Sequence, residues 1–188
     1  AFAAPLMVLA IGQAVLVNLD LLQLKAFFPD SHDVGFYSGM ASLARTPYFL
    51  FTAFSVTLLP GVTAALRAHG REAAGRMIAR STTVLVVTAL PVVAIVAAVP
   101  GPLLDFVFPA EYAAAAAALV WATVAQTVLA MVASFTAAVT AKGRPYLAMA
   151  VWLVCIPVQL GAGLWLIPEY GMTGTAQASL VAACAGLL

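Results

Sequence analysis

One apolar stretch carries five polar or charged residues that hydrocarbon does not hold without compensation: Gln13, Asn18, Asp20, Gln23 and Lys25. An ionisable side chain at the bilayer centre costs about 2.5–3.5 kcal/mol on insertion scales, so it persists where a water-filled cavity or a partner compensates it. At about 100° per residue, Gln13 and Asp20 fall on nearly one line of a helix, with Gln23 on the same side. Asn18 and Lys25 form a second line, roughly opposite. Asp20 can line a cavity, bind substrate or exchange a proton. It can equally tie one helix to the next through an ion pair. Lys25, near the outer end, is either a cavity cation or a side chain that snorkels to the interface.

Arg45-Thr46-Pro47 is the second place where chemistry can sit. Arginine stays charged and offers a planar fork of donors that suits phosphate oxygens. Pro47 frees a backbone carbonyl and invites a kink. Arg45 lies about ten residues into its apolar stretch, roughly 15 Å deep at 1.5 Å per residue. One reading is a grip on an anionic headgroup inside a central cavity. The other is a pairing with Asp20. A pair that opens when substrate arrives satisfies both. Gln13, Asn18, Asp20, Lys25 and Arg45 are thus the candidate substrate-binding residues, and a coupling ion, H+ or Na+, is the one small ligand expected.

The remaining polar residues read as structural. Asp30, His32 and Asp33 approach metal-ligand spacing but sit on a short turn that accounts for them, so no metal or cofactor is expected. Gln126, Gln159 and Gln177 are uncharged and read as packing groups. Gly12, Gly161, Gly163 and the Gly174/Ala178 spacing read as close helix approaches. Trp121, Trp152 and Trp165 read as lipid-facing or interfacial, and Cys155 and Cys184 as small buried hydrophobes. The sequence holds no phosphate-binding glycine loop and no nucleophile–base pair, so it does not read as an enzyme.

These residues must be positioned by helices. The chain of 188 residues is 64% hydrophobic and 8% charged, against roughly 25% charged in a soluble domain. Lipid must therefore serve as solvent for much of it, and a nucleic-acid partner is excluded. Six apolar stretches cover approximately 5–28, 35–66, 81–99, 113–140, 146–167 and 172–188. A spanning segment needs about 20 residues and must satisfy its own backbone, which predicts α-helix throughout. Kinks are expected at Pro47 and Pro60, and an amphipathic surface helix over Arg67–Arg80, where Met77 and Ile78 would touch acyl chains. The connections alternate in charge: Asp30 and Asp33, then Arg67, Arg71, Arg76 and Arg80 against Glu72, then Asp105 and Glu111, then Lys142 and Arg144, then Glu169. Cytoplasmic loops collect Lys and Arg, so the basic connections face the cytoplasm and the first span runs outward. The expectation is all-α: a polytopic membrane bundle of six transmembrane helices forming a single domain over 1–188, with both ends reading as cut from a longer chain.

Several short patterns occur in a telling order. They are Asn18-Leu19-Asp20, Val34-Gly35-Phe36-Tyr37-Ser38, Leu58-Leu59-Pro60, Phe108-Pro109-Ala110-Glu111-Tyr112, Lys142-Gly143-Arg144, and Leu166-Ile167-Pro168-Glu169-Tyr170-Gly171-Met172-Thr173-Gly174. Together they resemble bacterial polysaccharide flippases of the multidrug, oligosaccharidyl-lipid and polysaccharide exporter superfamily. The resemblance implies one six-helix lobe, the second, of a two-lobe transporter in the bacterial inner membrane, multi-pass. It implies alternating access and a lipid-linked oligosaccharide as substrate, with the N-terminal lobe and the lipid bilayer as partners. Arg45 matches the role of a cavity arginine that holds the diphosphate of a polyprenol carrier. Two alternatives stay open: a multidrug/cation antiporter of the same fold, in which acidic residues matter most, and a non-transporting membrane scaffold subunit.

Overall fold

A computed structural model describes residues 3–188; for residues 3–6 and for some positions between 52 and 85 it describes the helical backbone alone. The expectations resting on the side chains of Pro60, Arg67, Arg71 and Ile78 fall outside the described residues. The described chain is all-helical: α1 (Ala3–Phe27), α2 (His32–Ala44), α3 (Thr46–Ala98), α4 (Pro100–Val107), a 3-10 turn at Ala110–Ala115, α5 (Ala116–Ala141) and α6 (Pro145–Ala185).

Local sequence sets most of the boundaries. The Ser31 hydroxyl caps α2 by accepting the Asp33 N–H at 3.0 Å, so the acidic turn with His32 is a helix start. Proline opens α3, α4 and α6, where its missing N–H is no loss and its fixed φ suits the first turn. Residues before proline are pushed out of the helical region. Val99 accordingly takes φ −138° and ψ 51°, and α3 and α4 meet at 87°.

The two longest helices are folded back on themselves. Gly171 has φ 54° and ψ −125° inside α6, a backbone that glycine alone adopts without strain. The Gln159 amide donates to the Ser179 hydroxyl at 3.1 Å, across 20 residues of chain. In a straight helix they would stand about 30 Å apart. The same hairpin brings Gly174 against the Leu166 carbonyl and Gly186 against Cys155. Helix α3 turns likewise at Gly70, φ 77° and ψ −172°, which brings Gly61 against Met77. Residues 67–80 are therefore the apex between two arms of α3 and not a separate surface helix. There Arg76 pairs with Glu72 at 3.5 Å, both exposed.

Three helices among the described residues are long and apolar enough to cross a membrane: Met7–Phe27, Ala110–Ala141 and Pro145–Ala185. The bent pair Val86–Ala98 and Pro100–Val107 makes a fourth if it counts as one span. The expected stretch 35–66 differs most, being divided between α2 and the first arm of α3. Large apolar side chains stand on the outside, Leu50 and Leu164 at 62% exposure and Trp165 at 83%. That surface suits a membrane and would be a liability in water.

The core has two parts. One gathers Leu16, Val17, Tyr48, Phe51, Leu129, Val132, Trp152 and Cys155. The other gathers Leu24, Tyr37, Met40, Leu104, Leu119 and Ile167. Trp152 is a correction to the sequence reading: it is 1% exposed and donates its indole N–H to the Thr136 hydroxyl at 3.3 Å, while Trp121 and Trp165 are exposed as expected. Cys184 is a second correction, being exposed where Cys155 is buried.

Candidate functional site

The two core clusters part where the polar residues lie. On α1, Leu19 belongs to one cluster and Leu24 to the other, with Asp20 between them. Across from it, Ala44 and Tyr48 divide the same way, with Arg45 between. Arg45 ends α2 and precedes α3. Pro47 has no N–H to offer the Leu43 carbonyl, so the helix interrupts at this point.

Arg45 closes onto α1. Its Nη2 donates to Asp20 Oδ1 at 3.2 Å and its Nη1 to Asn18 Oδ1 at 3.4 Å. The ion pair is largely enclosed, with side-chain exposures of 15% for Arg45 and 4% for Asp20. Asp20 Oδ1 also accepts the Leu21 backbone N–H at 2.7 Å, and its Oδ2 accepts the Tyr37 hydroxyl at 3.0 Å. Arg45 Nε is buried and has no hydrogen-bond partner. Removing one member of a buried pair costs about 3–5 kcal/mol, because the charge left behind is uncompensated.

The structure brings together three of the five sequence candidates: Asn18, Asp20 and Arg45. The helical wheel put Asn18 on the line opposite Asp20, yet the long arginine side chain spans both. Gln13 lies two turns away and donates instead to the Tyr48 hydroxyl on α3. Lys25 is exposed in the last turn of α1, apart from the cluster. Gln23, on the Asp20 side as expected, turns to α6, where its Nε2 donates to the Gln159 and Leu160 carbonyls at 3.4 and 3.3 Å. Two apolar grooves, of about 410 and 160 Å³, are lined by α5 and α6 residues and by α3 and α5 residues. Neither includes a residue of the Arg45 cluster.

Tyr37 was missed as a site residue. The signal was present in the buried positions Tyr37, Met40, Ala41 and Ala44, a stripe at helical spacing with a hydroxyl at one end. Of the smaller expectations, Gly12 and Gly163 do receive neighbouring helices, against Trp152 and Gln23. Gly161 has open space around it.

Chemically the cluster is a largely enclosed cation held by one carboxylate and one amide oxygen. The guanidinium has five N–H donors, and two of its three nitrogens are engaged. No family model, characterised protein or solved structure matches the chain.

Proposed function

We propose that this chain is one six-helix lobe of a membrane transporter that flips polyprenyl-diphosphate-linked oligosaccharide across the bacterial inner membrane. A second lobe of the same protein completes the pathway. The observation that carries this reading is Arg45: a permanent cation at a helix break among apolar helices, with a buried Nε that nothing engages. Guanidinium suits a diphosphate because its donors match pairs of phosphate oxygens. Asp20 and Asn18 hold the cation when substrate is absent, and Asp20 is the group placed to answer a coupling ion. The lobe moves as a body against its counterpart, as paired-lobe transporters do.

The test is complementation in cells that require the full-length protein for surface polysaccharide, with membrane expression checked. Arg45→Ala and Arg45→Lys are both expected to abolish export and to leave lipid-linked sugar on the inner leaflet. Normal export by both variants overturns the role assigned to Arg45.

The closed pair at 3.2 Å also favours a second reading, a non-transporting scaffold subunit in which Arg45 and Asp20 pair permanently. The double variant Asp20→Arg with Arg45→Asp separates the two. A scaffold keeps its activity after the exchange, whereas a transporter loses it because the cation has left its place.

A further inference from the structure

Asp20 has more partners than an ion pair needs. Arg45 touches one of its oxygens, Oδ1, and the Tyr37 hydroxyl occupies the other. An arginine set for permanent pairing commonly takes both carboxylate oxygens as a fork. Here Tyr37 stands where the second prong would land. Tyr37 has 0% exposure, so its hydroxyl has no water to turn to and its partner is Asp20.

We infer that Tyr37 is a positioning residue that makes the Arg45–Asp20 pair separable. The inference rests on Arg45 being an anion contact. When Arg45 turns to an anion, Asp20 stays behind as a buried carboxylate, and an uncompensated buried charge is what makes such a pair hard to part. The Tyr37 O–H and the Leu21 N–H remain on it, one on each oxygen. The phenol bond strengthens as the positive charge withdraws, because its donor then faces an unneutralised carboxylate at low dielectric. Tyr37 thus stabilises the parted state more than the closed one. It also leaves Arg45 bound to Asp20 by a single prong.

The first test needs no substrate. Reversible unfolding in detergent is compared for the full chain, Tyr37→Phe, Arg45→Met and the double variant. Phenylalanine keeps the ring that fills the core. Removing the hydroxyl is expected to lower the folded-to-unfolded ratio a few-fold when Arg45 is present, and by about tenfold more when it is absent, as for a hydrogen bond to a charged group. With Asp20→Asn in place, the dependence on Arg45 disappears. Equal effects with and without Arg45 overturn the inference. Should Arg45→Met not fold, Arg45→Gln makes the same comparison. Calorimetry with farnesyl diphosphate as the probe then tests the underlying reading. Binding is expected to weaken about tenfold in Tyr37→Phe and to be the same in Asp20→Asn with or without the hydroxyl. If the probe does not bind the unsubstituted chain while the unfolding comparison behaves as expected, the diphosphate reading fails and Tyr37 keeps its role. If it binds, and Tyr37→Phe binds equally well, the role of Tyr37 is overturned and the diphosphate reading stands.

Discussion

Gln23 reaches the backbone of α6 only where α6 has no side chain. A methyl group at residue 163 would meet the Gln23 amide, the movable end of a flexible chain. Gly163→Ala is therefore expected to lose the two bonds to the Gln159 and Leu160 carbonyls and little else, about 1 kcal/mol. A methyl at residue 174 would instead meet the Leu166 carbonyl, which is backbone and cannot swing aside. Gly174→Ala is expected to cost more, about 1–3 kcal/mol, and detergent-induced unfolding of the two variants measures the difference. The same contrast governs what a sequence discloses. Asp20 and Arg45 stand out because charge in an apolar run demands an explanation. Tyr37 and Trp152 do not, because an aromatic ring in a membrane segment already has an ordinary place at the interface. What holds them inside is a polar acceptor on another helix, the Asp20 carboxylate for Tyr37 and the Thr136 hydroxyl for Trp152, and the apolar stripe on which Tyr37 stands does not name that partner.

Glycine, more than proline, decides where the long helices of this chain reverse. The sequence predicts a kink at Pro47, and α2 ends and α3 begins beside it. Pro157 and Pro168 nevertheless lie inside α6, while Gly171 turns it back. A proline removes one hydrogen bond and bends a helix. Reversal needs positive φ, which costs a residue with a Cβ about 1–3 kcal/mol. Gly171→Ala is accordingly expected to destabilise the hairpin by about that amount, while Pro168→Ala changes stability less, since it only returns a donor to the helix. Unfolding measurements on the pair check the ranking. The helical character of the apolar stretches was legible because hydrocarbon leaves the backbone no other choice. The split of 35–66 at Arg45 was legible only as an expected kink, since Pro47 names the place but not the angle.

At the scale of the molecule, the alternation of loop charge is the basis of an expected orientation, and the structure adds which helices lie together. α1 packs on α6, through Gly12 against Trp152 and Gln23 against Gln159. The hairpin of α6 makes a direct prediction. A Cβ at residue 186 would lie 2.8 Å from the Cys155 sulfur, so Gly186→Cys is expected to form a disulfide with Cys155 under mild oxidation. Cys184→Ser removes the exposed thiol, and loss of both free thiols in the mass spectrum reports the bond. Failure to crosslink would mean that the two limbs of α6 do not run side by side.

The spacing of partners along the chain also sets an order of assembly during synthesis. Asp20 meets Tyr37 and Arg45, only 17 and 25 residues further on. The amide of Gln23 waits for a carbonyl 136 residues downstream. A carboxylate stranded in hydrocarbon is far more unfavourable than an amide, and contacts distant in sequence form late. The group that can least endure isolation is therefore neutralised almost as soon as the next helix emerges. The one that can endure it is left open until the first limb of α6 arrives, 136 residues later.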